Sequence, residues 1–297
     1  MKTHIAHGMV ILATIALASM LSVSCTMPEP PVRHALVYGV QDYEDSLNDL
    51  SLTDDDARAM QGALEAAGWN VTMRLAVAGD NGATRSAIES DIASLRGTDG
   101  LVLFYYSGHG DEYGNIIPFG AIESASERIS PEELRGMLSD AGLGNVIILL
   151  DSCYSGAFVE DGATTDAVPG NYEKGDSVLL VPTDYSYQYP LYIDALPDAL
   201  AALPPYERTS RSVTLSPAGS AEGARESGSH GIFTAAVLEA IEDPASDLDA
   251  DGYVSSGELF AWTASYIEYW WNGETYSPLT SGDYLPHLSG TPYEFIL

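Results

Sequence analysis

The sequence predicts an α/β protein whose mainly parallel sheet carries helices on both faces. Two observations carry this. Short apolar runs alternate with segments of helical spacing along most of the chain, the pattern of strand and crossover helix. The runs themselves, most clearly residues 145–150, are apolar at nearly every position, as strands covered on both faces are.

Residues 34–40, ending near Gly39, form the first apolar run and predict a buried strand. A helix is predicted over 54–67, with Ala57, Met60 and Leu64 at helical spacing. Its carboxylates Asp54, Asp55 and Asp56 stand at the N-terminal end, where the helix dipole favours them. Residues 69–76 are strand-like and 84–95 helix-like. The run 100–106 predicts a strand that enters Ser107-Gly108-His109-Gly110. Ser130-Pro131-Glu132-Glu133 supplies an N-cap, an N1 proline and a capping-box glutamate, so a helix is expected to about residue 140. The strand 145–150 ends at Asp151-Ser152-Cys153. Residues 159–211 are rich in Gly, Asp, Tyr and Pro and are expected to form a long insert, with one strand-like piece at 177–181. A strand over 211–216 resumes the sheet, and helices are expected over 231–241 and from 257 to about 270. Trp262, Tyr266, Tyr269, Trp270 and Trp271 are expected to pack that last helix.

Composition narrows the function. The chain has 297 residues, 43 Asp plus Glu against 12 Lys plus Arg, and a formal net charge of -31. Phosphate binding needs a basic surface, so nucleic acid is excluded as a partner. Divalent cations and basic peptides suit this field better. Lys2, the apolar run from Met9 to Leu21 and the small residues Ser22 and Ser24 have the form of an export signal over residues 1–24. Cys25 follows, in the manner of a lipidated bacterial lipoprotein cysteine, although Leu21 stands four residues before it where three is usual. The expectation is export, with a lipid anchor as the only tie to a membrane; secretion after plain signal cleavage is the alternative. Residues 25–33, with Met27-Pro28-Glu29-Pro30-Pro31, are expected to form a stiff tether, leaving 34–297 as the folded domain.

Only two cysteines are present. With Cys25 lipidated, Cys153 has no disulfide partner and calls for a chemical explanation. In parallel α/β sheets, ligands bind beyond the carboxyl ends of the strands. His109 and Cys153 both sit at such ends, so topology alone brings them together. A histidine beside a cysteine can take the thiol proton and create the nucleophilic thiolate. Gly110 and Cys153 offer backbone N–H groups for the oxyanion of a tetrahedral intermediate.

Tyr106-Ser-Gly-His-Gly110 and Asp151-Ser-Cys-Tyr-Ser-Gly156 resemble the two catalytic motifs of caspase-like cysteine peptidases, in the bacterial metacaspase and orthocaspase branch. The order agrees, histidine first, and the interval from 109 to 153 is close to the roughly 50 positions of caspases. Residues 35–40, 52–57, 215–226 and 230–236 are similar to further family segments, so the likeness spans about 35–266. The resemblance implies a caspase-haemoglobinase fold and peptide hydrolysis by a Cys153–His109 dyad with no obligatory third residue. It also implies an S1 pocket containing Asp56, Asp151 and Ser107. Two carboxylates in one pocket favour a basic side chain over the aspartate of true caspases. Three consecutive aspartates stand where the family has an asparagine–aspartate pair, so which of them points inward stays open.

Asp247, Asp249 and Asp251 match EF-hand positions 1, 3 and 5. Gly252 supplies the turn, Tyr253 a backbone carbonyl, Ser255 position 9 and Glu258 position 12. Calcium is the cofactor expected here, in a structural or regulatory role, and none is required for the chemical step. The expected partner is a protein or peptide with arginine or lysine before the scissile bond. Two rival functions use the same residues: a thiol-dependent transpeptidase, and a non-catalytic calcium-binding adhesion module.

Overall fold

The computed structural model describes residues 32–44, 48–98, 100–155, 165–166, 211–216, 226–227, 229–248, 254–267 and 287–290. The expected signal, Cys25, the tether up to residue 31, the strand-like piece at 177–181, and residues 269–271 lie outside them.

The strands in chain order are β1 (Arg33–Val40), β2 (Asn70–Val77), β3 (Asp80–Asn81), β4 (Leu101–Ser107), β5 (Asn145–Asp151), β6 (Thr165–Asp166), β7 (Arg211–Ser216), β8 (Glu226–Ser227), β9 (His230–Gly231) and β10 (His287–Gly290). The helices are α1 (Thr53–Ala66), α2 (Arg85–Ser94), α3 (Pro131–Asp140), α4 (Ile232–Glu242) and α5 (Ser256–Ile267). Eight strands join one sheet in the order β3-β2-β1-β4-β5-β7-β10-β6. The central five are mutually parallel. The outer β3, β10 and β6 run antiparallel to their neighbours. The predicted mainly parallel sheet is therefore observed, with antiparallel strands added at its margins.

Strand periodicity divides the core in two. Ala35, Val37, Leu103, Tyr105, Ile147 and Leu149 face α1, α4 and α5, whose Met60, Leu64, Phe233, Val237 and Phe260 complete one cluster. Leu36, Tyr38, Val102, Phe104, Ile148 and Leu150 face α2 and α3, where Ile88, Ile92 and Leu134 close the other. Trp262 packs into the first cluster and Tyr266 lies against it, as expected for that end of the aromatic stripe.

The helix starts follow local chemistry. Thr84 accepts the Ala87 N–H at 3.2 Å to begin α2. Ser130 caps α3: its hydroxyl accepts the Glu133 N–H at 3.2 Å, and the Glu133 carboxylate accepts the Ser130 N–H at 2.9 Å. Arg85 of α2 reaches the same carboxylate at 3.0 Å, tying the two helices on this face together. That Ser130 N–H and then the Arg85 guanidinium hold the Glu133 carboxyl below its ordinary range. A carboxyl lowered on folding contributes stability that is complete above its unfolded pKa and lost as pH falls through the folded one. Ser130→Ala is expected to destabilise the protein by about 1 kcal/mol in urea unfolding. Wild type and Glu133→Gln are expected to differ at neutral pH and to converge in acid.

Candidate active site

β4 and β5 are hydrogen-bonded neighbours with Ser107 opposite Asp151. The Gly108 N–H donates to the Asp151 carbonyl at 3.2 Å, extending the pairing one residue past the strand. His109 and Cys153 therefore leave the sheet side by side at its carboxyl edge. Gly110 packs directly on the Cys153 backbone, and a Cβ at this position would overlap the Cys153 carbonyl oxygen. Only glycine permits that approach.

His109 is held from three directions. Its Nε2 lies 2.7 Å from the Asn48 carbonyl oxygen. A carbonyl can only accept, so Nε2 carries the hydrogen and the lone pair of the neutral ring is on Nδ1. The Tyr43 ring stands 4.8 Å from the imidazole, tilted by 41°. The Tyr43 hydroxyl accepts the His109 backbone N–H at 2.8 Å and donates to the Ile117 carbonyl at 3.1 Å. The Tyr106 hydroxyl donates to the same carbonyl at 2.7 Å and lies 3.2 Å from the His109 carbonyl. Burial raises the pKa of both phenols well above the ordinary tyrosine value, so they stay neutral donors.

Cys153 is in no disulfide and is partly exposed, whereas Ser152 and Ser155 near it are buried. Tyr154 takes φ 57°, the left-handed region that a bulky side chain seldom occupies. The chain thus turns sharply at the nucleophile candidate, at the mouth of the strand.

A second set of groups gathers behind these two. Ser107 and Asp151 share the pleat parity of Tyr105 and Leu149, so they face α1 and α4. Asp56, from the first turn of α1, meets them there. It is 1% exposed and accepts the Ser107 hydroxyl at 3.1 Å. The Gly231 N–H donates to both Asp56 oxygens, at 3.1 and 3.2 Å, and His230 Nδ1 lies 2.9 Å from Oδ1. Asp151 Oδ2 accepts the Thr234 N–H at 3.1 Å and the Thr234 hydroxyl at 2.6 Å. With its proton committed to Asp151, the Thr234 hydroxyl accepts from Tyr105 at 2.6 Å. Two carboxylates thus converge on the N-terminal turn of α4, whose dipole and free N–H groups offset part of their charge. A Cβ on Gly231 would strike the Asp151 carboxylate and crowd Asp56.

The structure brings together Asp56, Ser107 and Asp151, and separately His109, Gly110 and Cys153. Among the three aspartates that open α1 it selects Asp56: Asp55 is exposed, and Asp54 pairs with Arg58 at 3.6 Å. Sequence reasoning missed Tyr43, Asn48, Thr234 and His230. Nothing in their local pattern marks them, because each acts through a partner at least 50 residues away. Of the expected calcium ligands, Asp249, Asp251 and Tyr253 lie outside the described residues. Ser255 and Glu258 form a reciprocal cap at the start of α5, and the Glu258 carboxylate also accepts the Leu248 N–H at 2.8 Å. Among the described residues no three acidic, His or Cys side chains are grouped to hold a metal ion; Asp247 stands at the loop's entry.

A partly exposed cysteine outside any disulfide and a carbonyl-anchored histidine, at adjacent carboxyl ends of a parallel sheet, are the parts of an α/β protein of thiol-peptidase type. The model of the caspase domain matches residues 32–256, most of the sequence, and the chain belongs to that family. It is accordingly a caspase-like cysteine peptidase, and its substrate is protein. Among solved structures, caspase-1 from Spodoptera frugiperda superposes with a TM-score of 0.56 over 90% of this chain and 91% of that one, at 12% identity. The likeness establishes the caspase-haemoglobinase fold. No curated protein sequence matches the chain.

Tyr43→Phe keeps the ring against His109 but removes the acceptor for its backbone N–H. Displacing a catalytic group slightly is costly to rate. The expected result is a roughly tenfold slower alkylation of Cys153 by iodoacetamide at neutral pH and a similar fall in kcat, with KM unchanged.

Proposed function

We propose that the protein is a cysteine endopeptidase in which Cys153 is the nucleophile and His109 its base, cleaving after arginine or lysine. His109 Nδ1 takes the thiol proton, and the thiolate attacks the scissile carbonyl carbon. The Gly110 and Cys153 N–H groups receive the oxyanion. The imidazolium then gives its proton to the leaving amine, and the acyl-thioester is hydrolysed by a water that His109 deprotonates. The Asn48 carbonyl supports the imidazolium by accepting its Nε2–H, the role a carboxylate plays in a triad.

The observation that carries the substrate preference is the convergence of Asp56, Asp151 and Ser107 on one side of the two motif strands. Two buried carboxylates repel an acidic side chain and attract a guanidinium or ammonium. A basic preference accords with the metacaspase-like branch of the family. Lys174 and Arg208 in the insert are the corresponding sites for self-processing; Arg211, grouped with them on sequence, begins β7 opposite Asn145. The N-terminal segment makes it an exported lipoprotein anchored through Cys25. Asp247, Asp249, Asp251, the Tyr253 carbonyl, Ser255 and Glu258 are the residues that would hold a calcium ion in the 247–258 loop, where it would neutralise their charge and steady the start of α5.

A peptide library varied at the residue before the scissile bond is expected to be cleaved after Arg and Lys, and not after Asp. Cys153→Ala abolishes cleavage, and His109→Ala lowers kcat about a thousandfold. Cleavage after neutral or acidic residues only would overturn the substrate preference. Thorough chelation is expected to lower the melting temperature, restored by calcium and not by Asp247→Asn protein; an unchanged melting curve removes the calcium assignment. Intact mass after prolonged incubation reads self-processing.

A further inference from the structure

The turn that follows Gly110 takes no part in the chemistry above. Gly110 pairs antiparallel with Ile116, and Ile116 in turn with Ile129. Residues 111–115 therefore close a hairpin whose base rests on the Cys153 backbone through Gly110. The turn is fixed from within. The Asp111 N–H donates to the Asn115 carbonyl at 3.0 Å, and the Gly114 N–H to the Asp111 carbonyl at 2.8 Å. Gly114 takes φ 79°, the left-handed region that glycine adopts freely. The Asp111 carboxylate accepts the Tyr113 and Asn115 N–H groups, each at 3.0 Å, and the Asn115 side-chain amide at 2.9 Å. Arg128 donates to the same carboxylate at 3.0 Å and to the Ile122 carbonyl at 2.9 Å, tying the turn to the chain that returns beneath it.

The tip of this turn is open to solvent. Glu112 and Tyr113 are exposed, Tyr113 to 73%. Among the described residues, Tyr113 and Val32 are the large hydrophobic side chains left exposed. Val32 precedes β1, at the amino edge of the sheet. Tyr113 stands at the carboxyl edge, close in sequence to the glycine that touches Cys153. From Gly110 to Tyr113 the chain spans at most about 11 Å, the length of about three residues of an extended substrate. The chemistry sets the direction. The acid must reach the leaving nitrogen, so the substrate segment after the scissile bond lies on the His109 side of Cys153. The hairpin continues directly from His109 and stands on that side. A phenol ring on a hydrogen-bonded support gives up little conformational freedom when a substrate side chain packs on it, and it offers a large contact area.

We propose that Tyr113 is a specificity-determining residue for the leaving half of the substrate: its ring receives a large apolar or aromatic side chain within the first three residues after the scissile bond. This rests on the Cys153–His109 reading above and is independent of the residue preferred before that bond.

The test uses the full chain and a set of peptides that share the best-cleaved sequence before the scissile bond. The first three positions after it carry phenylalanine or alanine, one position at a time. Wild type is expected to cleave at least one phenylalanine peptide about fivefold faster in kcat/KM than its alanine counterpart. In Tyr113→Ala that ratio is expected to fall below about twofold, and Tyr113→Phe, which retains the ring, is expected to keep it. A ratio taken within one protein is indifferent to the fraction of active enzyme, so a loss of folded material on substitution does not imitate the effect. A wild-type ratio near one at all three positions, or a ratio as large in Tyr113→Ala as in wild type, overturns the role of Tyr113 and leaves the peptidase reading standing. Absence of cleavage of every peptide by folded wild-type protein overturns both.

Discussion

Strands β4 and β5 run in parallel through the centre of the sheet with Ser107 level with Asp151, and the site is built outward from that register. Parallel pairing ends both strands at the same edge. One residue of pleat parity then sorts the side chains. Ser107 and Asp151 turn to the α1 and α4 side, while the chain beyond them carries His109 and Cys153 out over the edge. A slip of one residue would turn the carboxylate towards α2 and α3 and leave it in an apolar cluster. The contact of Gly110 with the Cys153 backbone holds the two exits together.

Asp56 and Asp151 impose the second constraint. A carboxylate removed from water is costly unless its oxygens are hydrogen-bonded. Here the donors come from Gly231, Thr234, Ser107 and His230. Because Gly231 and Thr234 open α4, the position of that helix and the ionic character of the site depend on each other. Thr234 also connects Asp151 to Tyr105, so the polar network continues into the core with its donors and acceptors matched. The site is polar where the strand segments behind it, residues 102–104 and 146–150, are apolar.

The histidine side is organised differently. Tyr43 and Asn48 follow β1, two strands' width from β5; the Tyr43 hydroxyl holds the His109 backbone N–H, and the Asn48 backbone carbonyl holds the ring. Among the described residues a carbonyl and a phenol orient the imidazole, and no carboxylate is paired with it. The buried carboxyl groups of Asp56 and Asp151 are kept on the α1 and α4 side of the same two strands.

Most of the fold was legible in the sequence because it depends on local pattern. Alternating apolar runs and helical spacings marked the five central strands and the five helices to within a few residues, and Ser130 with Glu133 announced the start of α3. The motif positions of His109 and Cys153 followed from strand ends. The short antiparallel strands β3, β6, β8, β9 and β10 were not legible, since two to four residues carry no periodicity and exist only by pairing with a neighbour. The tertiary structure alone decided that Asp56, of three consecutive aspartates, is the buried one. It likewise decided that Asn48 and Tyr43 hold the histidine and that His230 sits on Asp56. These are contacts across 51 to 174 residues of chain, made when packed helices and strands bring distant atoms within hydrogen-bonding distance, and short-range sequence pattern contains no trace of them.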